Sequence, residues 1–295
     1  MRLDHTQIAI RERGFLEILD LALLVVRAHL VPLTLGALVG ALPMYLVNLW
    51  LIGWMIDADY VDTWLVRYVW LMTLLVCVEA PLASAPITLY LGQAMFYQRL
   101  AVRQLLRDCL PLARRLVVCQ FLLRGVLPAW LLVLAIERYG DFSPMIEILL
   151  LPLLVLIVLL VRASRPFINE ILLLERNPLV SRGSETMSIN RRSGMLHMGS
   201  RGDLFGRWIG SALVAVPMVV SFVFCQMFIS GVFFGSWHWG VVMVGVCIPA
   251  AMWIVAAYFA VVRFLSYLDL RIRREGWEVE LQQRAAAAPL VRSVA

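Results

Sequence analysis

The chain has 295 residues, of which 62% are hydrophobic and 16% charged, and its mean hydropathy is +0.84. A soluble domain is about 45–50% apolar and about 25% charged, and a soluble fold of this length has too little interior to hide such an excess. These figures exclude a soluble enzyme, a secreted disulfide scaffold and a disordered chain; they call for an all-α integral membrane bundle forming a single domain.

The first expected element is an amphipathic helix at about 8–27, where Phe15, Ile18, Leu19 and Ala22 share one face. Glu17 and Asp20 interrupt its apolar character and no A-x-A site follows, so the sequence predicts a signal anchor and not a cleaved signal peptide. Six spans are expected, at about 30–54, 67–92, 116–136, 145–162, 208–230 and 240–262, each near the roughly 20 residues that a bilayer needs. Prolines lie in or at the ends of several, among them Pro43, Pro81, Pro86, Pro128, Pro152, Pro217 and Pro249. Each frees a backbone carbonyl that must find a donor inside the protein. Further amphipathic helices are expected at about 97–109, 165–177 and 263–284. In the third, Phe167, Ile168, Ile171 and Leu172 form the stripe. In the last, Leu265, Leu268, Ile272 and Val279 do so, with Asp269–Arg273, Arg271–Glu275 and Arg274–Glu278 at i,i+4. Ser181–Asp203 is rich in Ser, Gly, Arg and Met and reads as an exposed loop of about 20 residues, a linker or a docking segment for a partner.

Arginines crowd the stretches before the first span, between the second and third, between the fourth and fifth, and after the sixth. The opposite side has only Arg67 and Arg138 and is otherwise acidic or neutral, so both termini are expected in the cytoplasm. The net charge of +6 then points to anionic lipid headgroups, and not to nucleic acid. All 26 basic residues are arginine. The absence of lysine removes the P-loop lysine, the kinase lysine and Schiff-base chemistry, each of which needs an amine. Cys77, Cys109, Cys119, Cys225 and Cys247 form no C-x-x-C pair, and His5, His29, His197 and His238 have no paired ligand spacing. No catalytic, metal or cofactor site is therefore expected.

The informative positions are polar residues inside apolar spans. Glu79 and Arg124 each sit near the middle of one, where a charge costs about 2.5–3.5 kcal/mol to insert. Their depths differ by roughly 5 Å at 1.5 Å rise per residue, which predicts either a structural ion pair or a substrate or proton path. Gln120, Gln226 and Asn48 are further buried polar candidates. Gly36-Ala-Leu-Val-Gly40 is a GxxxG motif, serving internal packing or a homo-oligomer.

Three stretches, Glu79–Gln93, Arg165–Pro178 and Tyr267–Glu280, resemble signature segments of uncharacterised bacterial multi-pass proteins. The last is similar to the end of the membrane domain sometimes joined to glycerophosphodiester phosphodiesterases. The resemblance implies a six-helix membrane domain without the catalytic barrel, which adds over about 200 residues, and it carries over no catalytic residue. The expected role is a non-enzymatic scaffold or subunit that meets another membrane or cytoplasmic protein. The competing expectation is a transporter component with a midplane site around Glu79 and Arg124.

Overall fold

The computed structural model describes residues 13–56, 61–94, 111–131, 144–179, 187–235, 237 and 239–275. Among them the chain is all-α. In chain order the helices are α1 (Phe15–Ala28), α2 (Leu30–Ile52), α3 (Val61–Ala83) and α4 (Ala85–Ala94). Then come α5 (residues 111–131, π-helical over Val117–Val126), α6 (Pro144–Ala163), α7 (Ile168–Leu174) and α8 (Ile189–His197). The last two are α9 (Arg201–Phe234) and α10 (Ile248–Glu275, entered through a π turn at Met243–Cys247).

Four segments are long and apolar enough to cross a membrane: Leu30–Ile56, Leu65–Ala94, Arg201–Phe233 and Met243–Arg274. Leu149–Ala163 and Ile168–Leu174 make a fifth if the pair, bent by 54°, counts as one. The coarse expectation of several apolar α-helical spans therefore holds. α5 falls outside this set, and Arg114, Arg115 and Arg124 interrupt its apolar character.

α10 is the central column. Its length touches every apolar cluster: Ile248 and Ala251 against Val223 of α9, Trp253 against α2 and α3, Tyr258 to Leu265 against α1, and Tyr267 and Leu270 against α7 and α8. α2 and α9 are peripheral, with 17% and 6% of their most apolar windows buried, against 67% for the α3–α4 segment. α9 stops at Gly235, whose φ of 66° is a left-handed C-cap that L side chains rarely adopt.

α1 buries Ile18, Leu19 and Ala22 on α10, as its periodicity predicts, and the Tyr258 hydroxyl donates to the Leu19 carbonyl at 3.0 Å. Other expectations are corrected. The stripe at 165–177 is not a surface helix: all six residues from Ile168 to Leu173, Asn169 and Glu170 included, are buried. The run is apolar around most of its circumference, so the bundle encloses it. The 263–284 segment is not a separate helix, since α10 runs unbroken to Glu275 and keeps Leu268 and Ile272 against the bundle. The expected loop 181–203 contains a helix. Ser188 caps α8 by accepting from the Arg191 N–H, and Ile189, Ser193, Leu196 and His197 recur at helical spacing on its buried face. The expected helix at 97–109, together with Val279 and Glu278, lies outside the described residues.

GxxxG serves internal packing. A Cβ on Gly40 would drive into the Ala83 backbone, whereas one on Gly36 would meet Ile87 Cγ1 at an ordinary 3.6 Å. Gly40→Ala is therefore expected to cost about 1–3 kcal/mol, as overpacking does, while Gly36→Ala is near neutral. Thermal melts of the two purified variants in detergent check this; equal melting temperatures would remove Gly40 from the α2–α3 contact.

Candidate functional site

Proline decides the local structure of the interior. Pro81 in α3 has no N–H, so the Cys77 carbonyl, four residues earlier, loses its helical partner. The guanidinium of Arg162, from the end of α6, hydrogen-bonds that carbonyl, and its other nitrogen donates to the Val78 carbonyl at 2.5 Å. Pro249 frees the Gly245 carbonyl in the same way, and the Tyr45 hydroxyl of α2 donates to it at 2.6 Å. At the end of α6 the last carbonyls are exposed by the turn before Pro166. Arg124 of α5 takes them, donating to Val161 at 2.7 Å, Arg165 at 2.9 Å and Arg162 at 3.3 Å.

α3 and α4 are separated by a break at Ser84, with Pro81 before it and Pro86 after it. The second broken pair, α6 and α7, brings Asn169 and Glu170 to that break. Asn169 Nδ2 donates to the Pro81 carbonyl at 3.1 Å, and Ser84 Oγ donates to the same oxygen at 3.3 Å. Arg263 of α10 closes the ring. Its Nη2 donates to Ser84 Oγ at 3.0 Å and its Nε to Glu170 Oε1 at 2.6 Å. Glu170 is fully enclosed, and Arg263 is its ion-pair partner among the described residues. Glu170 Oε2 and Asn169 Oδ1 are buried with no partner among the described residues. A small crevice between α2, α3, α4 and α10 is lined mostly by alanines, among them Ala41, Ala83 and Ala257, with Ser84 also in its wall.

Glu79 and Arg124 do not form the expected ion pair. Glu79 Oε2 accepts from Asn48 Nδ2 at 3.0 Å on the α2 side of α3, and Arg124 faces α6. The depth estimate agrees with the packing, since a Cβ on Gly125 would meet Val78 Cγ1 at 2.9 Å. The azimuths differ, and depth along a helix says nothing about azimuth. Asn48 is fully buried as expected, and its Nδ2 also lies 3.9 Å from Met72 Sδ. Gln120 is buried in the π-helical part of α5, and its side-chain oxygen, like that of Gln226, meets no partner among the described residues.

Sequence reasoning missed Arg162, Asn169, Glu170, Ser84 and Arg263. The available signals were the Pro81–Ser84–Pro86 spacing and Glu170 set in an otherwise apolar helical run. The arginines had been assigned to topology, since each follows an apolar stretch. At the arginine-rich end of the bundle, acids meet more than one arginine each. Asp269 is buried, accepts from Arg273 at 2.6 Å and from the Arg13 N–H at 2.9 Å, and lies in an ion pair 3.0 Å from Arg207 Nη1. Burial raises the Glu175 carboxyl. Hydrogen bonds from Arg192 and Tyr267 and the charges of Arg192 and Arg271 outweigh it, so Glu175 sits below the ordinary carboxylate range. The three stretches singled out for their resemblance thus meet: Pro81 with Asn169, and Glu175 with Tyr267. No group of three metal-ligating side chains lies together among the described residues.

No family model, no curated protein and no solved structure matches this chain.

Two outcomes follow from this geometry. Arg162→Gln strips a donor from the Cys77 carbonyl and should cost about 1–3 kcal/mol. Pro81→Ala restores the missing N–H, so the double variant should lose less than the sum of the two single losses. Additive losses in chemical denaturation would show that Arg162 does not compensate for Pro81.

His197 adds a pH dependence of its own. Burial lowers its pKa below 6.5, outweighing the hydrogen bond to the Ser193 carbonyl, and the charges of Arg165, Arg124 and Arg201 lower it further. The unfolded chain therefore binds the proton more readily than the folded one, and stability falls as pH drops below about 6.5. Melting should decline from about pH 7.5 to about pH 5.5, and less so in His197→Gln. An identical decline in both proteins would assign the effect elsewhere.

Proposed function

We propose that this chain is a non-enzymatic multi-pass protein of a bacterial inner membrane, acting as a scaffold or subunit of a membrane complex. In this reading it crosses the bilayer six times, with both termini cytoplasmic and with anionic headgroups around its arginine-rich end. One observation carries it: the interior guanidinium groups are engaged by the protein's own structure. Arg124 and Arg162 hold helix-end and proline-freed carbonyls, and Arg263 holds Glu170 and Ser84. Such clasps favour one rigid arrangement of broken helices. The frame supports an arginine-rich end where α1, α8 and the ends of α9 and α10 are tied by the Asp269 and Glu175 clusters.

A second reading, a transporter component, is favoured by a different observation. The bent pair α6–α7 brings Glu170 into a buried ion pair with Arg263, and broken helices are where secondary transporters place their sites. Purification from native membranes in mild detergent, followed by reconstitution into proteoliposomes, separates the two. A second polypeptide in fixed ratio with the chain, and no solute uptake by the pure protein, is the expected result. A lone chain that drives uptake abolished by Glu170→Gln would replace the scaffold reading with the transporter.

A further inference from the structure

The face of α8 turned away from the bundle carries an uncommon combination. Arg191 and Met195, four apart, share one side of α8, with Met187 just before its N-cap Ser188 and Met198 at its C-cap. All four are exposed, Met198 at 71% and Met195 at 54%. The opposite side, Ile189, Ser193, Leu196 and His197, is buried, with His197 stacked on Phe167. α8 is joined by Met198–Ser200 to Arg201, the first residue of the apolar segment Arg201–Phe233. That segment opens with Phe205 stacked on Trp208 and goes on to the exposed Ile209 and Leu213. In a bilayer an aromatic pair of this kind sits at the headgroup level, so α8 lies within about a turn or two of that level.

Charge selects the occupant. The neighbouring acids already hold arginines: Asp203 with Arg207 and Arg273, Asp269 with Arg207 and Arg273, and Glu175 with Arg192. Arg191 and Arg201 are exposed, and no carboxylate among the described residues pairs with either. Methionine is flexible and apolar enough to enter the acyl boundary, while guanidinium forks bind phosphate oxygens in pairs.

We propose that the Met187–Arg191–Met195–Met198 face of α8, continued by Arg201, is a docking surface for anionic phospholipid headgroups, with the methionines at the acyl boundary and Arg191 and Arg201 on the phosphates. This rests on the reading of the chain as a bilayer-spanning protein with anionic headgroups at its arginine-rich end and deepens it by naming the surface that holds them.

The test uses the full chain in phosphatidylcholine nanodiscs doped with a photoactivatable phosphatidylglycerol or, in parallel, a phosphatidylcholine carrying the same photogroup. Labelling is mapped on tryptic peptides. The phosphatidylglycerol probe is expected to label the peptide with Met195 and Met198 well above the phosphatidylcholine probe. Arg191→Ala should reduce that labelling about fivefold, the worth of one basic residue near an anionic leaflet, and Arg191→Ala with Arg201→Ala should reduce it further. Both positions are exposed, so the variants fold; matching melts confirm it. Equal labelling by both probes, or an unlabelled α8 peptide beside labelled peptides from α2 and α9, overturns the docking surface alone. Absence of labelling on α2 and α9 as well overturns the bilayer reading with it. In native membranes, a protein crosslinked at position 195 in place of lipid makes α8 a protein interface and overturns the proposal.

Discussion

The structure depends on the backbone carbonyls that proline and helix ends leave without an N–H. In water such an oxygen binds solvent at little cost. Inside an apolar bundle it costs several kcal/mol unless a side chain reaches it. At Pro81, at the junction of α3 and α4, and at Pro249 the donor comes from a different helix. Arg162 of α6 serves the Cys77 carbonyl, Tyr45 of α2 serves Gly245, and Asn169 of α7 serves Pro81. The defects in individual helices thereby become the contacts that set the helices against one another.

These contacts form a sequence through the bundle. Arg124 caps the end of α6, α6 sends Arg162 to α3, and α7 sends Asn169 to the break between α3 and α4. Arg263 then ties that break to Glu170. The central helix α10, which supplies Arg263, also lines each apolar cluster, so polar and apolar packing converge on one element. Removing one member of the ring strands a buried charge or a bare carbonyl, which makes the ring a unit and not a sum of pairs.

The arginine-rich end follows a different rule. Its acids, Asp203 at the start of α9, Asp269 in the last turns of α10 and Glu175 after α7, each collect more than one arginine and tie the ends of these helices together beside the apolar cluster. Arginine suits the task because one guanidinium offers five donors in a rigid fork. Asp269 alone joins three segments of the chain: residue 13, α9 and α10 itself.

Composition and periodicity were sufficient for the all-α architecture, for the apolar runs that became α2, α3–α4, α9 and α10, and for the face of α1 that meets α10, because these follow from local hydrophobic pattern alone. The sequence also showed that proline-freed carbonyls would need partners, since the missing N–H is a covalent fact. It did not show which partners. Glu79 and Arg124 lie at matching depths, yet Glu79 turns to Asn48 and Arg124 to α6. The rotation of each helix about its own axis is set by neighbours distant in sequence. The same limit hid the break at Ser84 as the meeting point of α7 and α10, and left Ser181–Asp203 looking irregular when its buried face becomes evident only against Phe167 and Tyr267. Spacing along one helix is a local property; azimuth and pairing are decided only when all the helices pack at once.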